Sequence, residues 1–173
     1  MESAVSIIQK QGALPVVLGG DCAVDFPVLQ GLEGIGNFDI VHIDAHLDWT
    51  KPLDGQKFFN GSPMRNAAGL PYVGRILHLG VRGIGSSGPD DFEEAREHGD
   101  QIYSCRDVRR LGIDRILKEF GLAKQFVVCF DMMRWMPFMR RLRVPPCSAV
   151  SITMKRSISL KPLARQATSK ELS

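Results

Sequence analysis

The stretch Phe38-Asp39-Ile40-Val41-His42-Ile43-Asp44-Ala45-His46-Leu47-Asp48-Trp49 decides the reading of this chain. Its first half is a short, largely apolar run, and such a run predicts a buried strand over Phe38–Ile43 that stops at Asp44. Its second half sets an acid, an imidazole and an acid at alternate positions. In an extended segment alternate side chains share one side, so Asp44, His46 and Asp48 are expected to point together. Two carboxylates and one imidazole form a hard donor set that suits Mn2+ and also accepts Zn2+ or Fe2+. On its own the D-x-H-x-D string is equally an ordinary polar loop with His46 a satisfied surface or core histidine. The sequence on either side tips the balance towards a metal.

Three further runs read as strands: Leu14–Leu18 ending at Gly19-Gly20, Arg75–Leu79 ending at Gly80, and Gln125–Phe130 ending at Asp131. Between them Phe26–Leu32, Asp90–His98 and Ile113–Phe120 carry helical spacing. Short strands alternating with amphipathic helices predict an α/β domain on a mainly parallel sheet. Open parallel sheets bind ligands beyond the carboxyl ends of their strands, and Asp21, Asp44 and Asp131 each stand at such an end. His42 and His78 fall inside strands and are expected to be packed core histidines. Trp49 either lines a pocket or packs, and His98 closes a helix where a cation suits the dipole.

The chain has 173 residues, 44% hydrophobic and 24% charged, which is material for one domain with one core. No apolar run approaches the roughly 20 residues of a membrane-spanning helix, and a basic-then-apolar leader is not evident, so a cytoplasmic protein with no membrane partner is expected. Four cysteines, Cys22, Cys105, Cys129 and Cys147, lie far apart without a C-x-x-C pair, which argues against a disulfide framework or a zinc ribbon. Net charge is +3, but it is unevenly spread. Residues 132–173 hold nine basic residues against one acid and no glycine, whereas residues 1–131 hold thirteen against eighteen and all 17 glycines.

Several motifs in order give the chain a likeness. Gly19-Gly20-Asp21, then Asp44-Ala45-His46-Leu47-Asp48, Asn60-Gly61-Ser62-Pro63-Met64-Arg65, Leu79-Gly80-Val81-Arg82-Gly83 and Phe130-Asp131 together resemble the ureohydrolases, the family of arginases, agmatinases and guanidino-acid hydrolases, and look closest to the agmatinase branch. The resemblance covers roughly Leu14–Asp131. It implies a three-layer α/β/α fold, here incomplete, and two Mn2+ ions held by Asp44, His46, Asp48 and Asp131, with Asp44 and Asp48 bridging. It also implies hydrolysis of an amidino C–N bond in a small guanidino substrate, with attack of metal-activated hydroxide on the guanidinium carbon, release of urea, and assembly into homo-oligomers.

Three positions depart from the family pattern. Cys22 stands where a metal-binding histidine is usual, a softer ligand than manganese prefers. Asn60 stands where many agmatinases carry a histidine that shuttles protons, and an amide does no acid–base work near neutral pH. The later D-x-D reads Asp131-Met132-Met133, so its second carboxylate is absent.

That last departure falls on the change in composition, and one base lost after the Asp131 codon accounts for both. Read one base on, Met132-Met133 must encode Asp, Trp135-Met136 Asp, Met136-Pro137 Ala and Met154-Lys155 Glu, whichever synonymous codons are used. The expectation is a partial ureohydrolase core at 1–131 followed by a poorly ordered frame-shift tail at 132–173, with activity impaired. The alternatives are a non-catalytic remnant of such an enzyme, and a binding module whose basic tail meets nucleic acid or an acidic surface. The balance of residues favours the enzyme reading, with no nucleic-acid partner.

Overall fold

In the computed structural model, residues 1–82, 87–131 and 149–155 are described. Among these residues the helices α1 (Glu2–Lys10), α2 (Asp25–Gln30), α3 (Pro63–Ala68), α4 (Pro89–His98), α5 (Cys105–Leu111) and α6 (Ile113–Phe120) surround a sheet. Its strands are β1 (Val16–Leu18), β2 (Phe38–Ile43), β3 (Val73–Val81), β4 (Gln101–Ser104), β5 (Gln125–Asp131) and β6 (Ala149–Lys155).

Alternation along the strands sends side chains to two faces, and each face has its own core. One gathers Phe38, Ile40, Ile76, Val127 and Cys129 with Val5, Val28, Leu29, Leu32, Met64, Ala67 and Ala95 from α1 to α4. The other sets Val41, Leu77 and Leu79 against Ile116 and Phe120 of α6. This is the expected three-layer α/β/α arrangement on a mainly parallel sheet.

The strands lie in the order β1-β6-β5-β2-β3-β4. The pairs β2–β3, β3–β4 and β2–β5 are parallel, and β6 runs antiparallel to both β5 and β1. The chain therefore builds outward from β2 through β3 to β4 and returns to β2's other side with β5. That reversal between β2 and β5 is where open α/β sheets part their loops into a crevice.

Several elements went beyond the sequence reading. β4 is a half-buried strand of four residues next to β3, too short to carry a period. Helix α3 is a six-residue helix opened by Pro63, whose missing N–H belongs at a helix start. Within the tail expected to pack poorly, residues 149–155 form β6, and the rest of 132–173 lies outside the described residues. The alternation Val150-Ser151-Ile152-Thr153 suits a strand, and β6 supplies backbone partners to β5 on one side and β1 on the other.

Candidate metal centre

Three strand ends converge on the crevice. β1 and β5 are both antiparallel to β6 and so run the same way, which brings their carboxyl ends to one rim with that of β2. Asp44 follows β2, Asp131 ends β5, and Cys22 opens a single 3-10 turn, Cys22–Val24, just after β1.

Local hydrogen bonding shapes the Asp44–Asp48 segment. The Asp44 amide donates to Leu79 O (3.1 Å), and Asp44 Oδ1 accepts from the His46 amide (3.0 Å), which bends the chain as soon as β2 ends. Asp48 has a left-handed backbone, φ 54°, and its carbonyl accepts the Met64 and Arg65 amides at 3.1 and 3.3 Å where α3 begins. The carboxylates thus converge through a turn tied to β3 and α3, and not by strand alternation as the spacing had led us to expect. Asp44 and Asp48 are buried, and His46 is partly exposed.

Two groups of ligand atoms result, each with its members within 4.8 Å of one another: Cys22, Asp44 and Asp48, and Asp44, His46 and Asp131. Asp44 belongs to both. Cys22 Sγ lies 3.4 Å from Asp131 Oδ2 and 4.0 Å from Asp44 Oδ2, and Asp48 Oδ2 is buried without a hydrogen-bond partner. A buried carboxylate oxygen without a hydrogen bond costs free energy, and His42 Nε2 faces this one only at 3.8 Å. Converging carboxylates, one imidazole and one thiol, with an oxygen among them that lacks a hydrogen bond, suit a divalent cation.

Electrostatics point the same way. Burial pushes the Asp48 carboxyl up to about 7, against the opposing pull of His42. Burial also works to raise Asp44, but the imidazoles of His42 and His46 outweigh it and hold Asp44 below the ordinary carboxylate range. Burial, then the charges of Asp48, Asp131, Asp44 and Asp25, drive the Cys22 thiol far up. Without a cation the thiol stays protonated, and a bound metal reverses that preference.

Behind the carboxylates stand residues that the sequence marked only as core. His42 Nε2 lies 3.6 Å from Asp44 Oδ2 and 3.8 Å from Asp48 Oδ2. Its Nδ1 meets His78 Nδ1 at 3.1 Å, and His78 Nε2 faces Asp100 Oδ2 at 3.4 Å. Burial opposes charge on both rings, yet Asp44 and the acids beyond it raise His42, while His78 falls to about 4. Of the two rings His42 is thus the readier to take up a proton and His78 the less ready. Both are buried, as expected of core histidines, but the pattern of apolar residues around them carried no sign of these partners.

Other positions singled out in the sequence have other partners. Asp21 is exposed and caps the 3-10 turn, its Oδ1 accepting the Ala23 amide at 2.9 Å. Asn60 is exposed on the turn before α3. Trp49 packs, with its ring 6.2 Å from that of His78 and 5.8 Å from that of His98. Arg65 pairs with Glu94, and Arg82 Nη1 reaches Gly80 O (3.2 Å) and Cys105 Sγ (3.3 Å). Cys22 and Cys105 are free thiols. No helix among the described residues is long and apolar enough to cross a membrane.

Comparison with known proteins agrees with this geometry. The chain is 31% identical over 110 residues to the mitochondrial guanidino acid hydrolase of Homo sapiens, covering 62% of this chain and 31% of that one. It is 33% identical over 103 residues to the mitochondrial agmatinase of Gallus gallus, covering 58% and 30%. The chain thus spans under a third of the length of these relatives. Among solved structures, Trypanosoma cruzi formiminoglutamase with Mn2+ superposes with a TM-score of 0.64 at 26% identity over 72% of this chain and 44% of that one. The agmatine ureohydrolase of Thermoplasma volcanium does so with 0.62 at 25% over 73% and 42%. A family-wide sequence profile matches residues 1–132, up to the point where composition changes, and the chain belongs to the arginase family.

Proposed function

We propose that this site holds two Mn2+ ions and serves an agmatinase-type hydrolase, which cleaves the amidino C–N bond of a small guanidino substrate with water and leaves urea and an amine. The observation that carries the reading is the pair of three-ligand groups sharing Asp44. Bound there, Mn2+ would supply hydroxide at neutral pH and steady the charge that develops on the reacting carbon. The chain's own residues hold the reactants. Asp44 bridges the two ligand groups, Cys22 and Asp48 complete one, and His46 and Asp131 complete the other. The cluster of carboxylates, in a segment with an excess of acids, favours a cationic guanidinium. Asn60, an amide, positions substrate without moving a proton.

On this reading the polypeptide as given is impaired. A D-x-D needs its second acid at 133, and Met133 offers a thioether, a poor ligand for a hard cation. The frame break after Asp131 explains why a family match ends at 132. We also read the protein as cytoplasmic, with its thiols reduced there, and as a homo-oligomer without nucleic-acid or membrane partners.

The test pairs the full chain with its Met133→Asp variant and measures Mn2+ bound together with urea released from agmatine, guanidinobutyrate and guanidinopropionate. The variant is expected to bind Mn2+ at least about tenfold more tightly and to gain urea release. Failure of both proteins to bind Mn2+ would sink the metal reading. Sequencing the gene across codons 131–133 tests the frame break directly, since recovery of one base restores Asp at the third position.

A further inference from the structure

The chain from the ligand cluster through His42 and His78 to Asp100 has no part in the chemistry above, and it touches the ligands at one end only. His42 and His78 are register partners on parallel strands β2 and β3, so both rings project from the same face of the sheet at the same level. They meet edge to face, with ring centroids 5.2 Å apart, and both are fully enclosed. Because Nδ1 faces Nδ1 at 3.1 Å, one ring must donate where the other accepts, and neither can turn without orphaning the other in a dry interior. The far end is fixed as well. Asp100, just after α4, accepts the Ile76 amide on Oδ1 (2.8 Å), has His98 Nδ1 at 2.8 Å from the same oxygen, and sets Oδ2 against His78 Nε2 at 3.4 Å. Trp49, the residue after Asp48, closes over the rings of His78 and His98.

We propose that His78, anchored by Asp100, is a positioning residue that fixes the His42 ring against the Asp44 and Asp48 carboxylates and so sets their geometry for metal. This rests on the two-metal reading of the site. Partners that orient metal-binding carboxylates and imidazoles govern affinity without touching the ion. Here the orienting group is itself held by a strand neighbour, so affinity depends on a residue one further step removed.

The experiment uses the full chain and its His78→Phe, His78→Asn and His78→Gln variants. Mn2+ dissociation constants come from the electron paramagnetic resonance of free Mn2+, and the ring nitrogens of His42 are followed by 15N NMR in chelator-treated protein. Phe keeps a flat ring and removes both hydrogen-bond atoms. Asn places an amide where Nδ1 stood, able to donate or accept towards His42, and Gln reaches for the Nε2 position and Asp100. Expected are a loss of Mn2+ affinity of about tenfold to a hundredfold in Phe and Gln, with displaced His42 nitrogen shifts, and recovery of both in Asn. If Phe does not fold, the Asn and Gln pair still separates the two contacts. Equal affinity in wild type, Gln and Phe, or an Asn variant as weak as Gln, overturns the proposal. A wild-type chain that binds no Mn2+ overturns the metal reading and this inference with it, whereas wild-type binding with indifferent variants overturns the inference alone.

Discussion

Asp48 combines two costs that a protein does not carry without return. Its left-handed φ of 54° is uncommon for any residue but glycine, asparagine or aspartate, and its Oδ2 is buried without a hydrogen bond. Replacing it by asparagine keeps the backbone preference and removes the charge. Asp48→Asn is expected to weaken Mn2+ binding at least about tenfold while raising the melting temperature of chelator-treated protein by a few degrees. The pH dependence has a definite sign. A carboxyl whose folded-state pKa, about 7, lies above its ordinary 3.8 binds a proton more readily folded than unfolded, so it costs stability as pH rises through 7. His42, also raised, acts in the same direction. His78, lowered to about 4, opposes only below its ordinary 6.5, and Asp44, already held low, adds no slope there. The Asp48 cost accrues between 3.8 and about 7, and His78 offsets it below 6.5, so metal-free protein should lose stability as pH rises from 6.5 through 7, and Asp48→Asn should lose less. A thermal melt series that is flat for wild type, or equally steep for the variant, contradicts this.

At the scale of the strand, Gly80 shows why the β3 end belongs to the site. It breaks the β3–β4 register between Leu79 and Val81, sits at φ 97°, and a Cβ there would lie 3.1 Å from Asp44 O. Gly80→Ala must take on both the strained backbone and that contact, so it is expected to cost about 1–3 kcal/mol in urea unfolding and to weaken Mn2+ binding by moving Asp44. An unchanged urea midpoint would remove the argument. β6 is the other element with a sharp consequence, because among the described strands β1 pairs with it alone. Ile152→Pro removes a backbone donor from β6, and the amides of Val16–Leu18 should then lose protection from hydrogen exchange, while those of β2 facing β3 keep theirs. These elements also mark how far the sequence was legible. β2, α6 and the acids at strand ends could be read because apolar period and an abrupt polar stop are local signals. The left-handed turn at Asp48, the pairing of β6 and the His42–His78–Asp100 chain could not, since each is set by contacts between segments distant in sequence. Alternation placed His42 with Phe38 and Ile40, and nothing local tells a histidine that fills a core from one that supports a site.

Across the whole molecule the ligand cluster joins parts of the chain that lie far apart in sequence. Cys22 is 22 positions from Asp44 and 109 from Asp131, and they come from the ends of β1, β2 and β5. β1 reaches β5 only across β6, so a cation held by Cys22, Asp44 and Asp131 would tie β1 to β5 and β2 directly. A site that exists only in the folded chain stabilises it by mass action, about 2.7 kcal/mol when free ligand stands a hundredfold above its dissociation constant. For a chain of this size that corresponds to a rise of roughly 5–10 °C in melting temperature. Chelation should reverse it, and the rise should track the logarithm of free Mn2+ above the dissociation constant. It should also shrink in Asp48→Asn and grow in Met133→Asp, because the first removes a carboxylate from the cluster and the second adds one next to Asp131. A melting temperature indifferent to Mn2+ in all three proteins would mean that these acids meet no cation, and that their burial reflects ancestry in the arginase family without its metal chemistry.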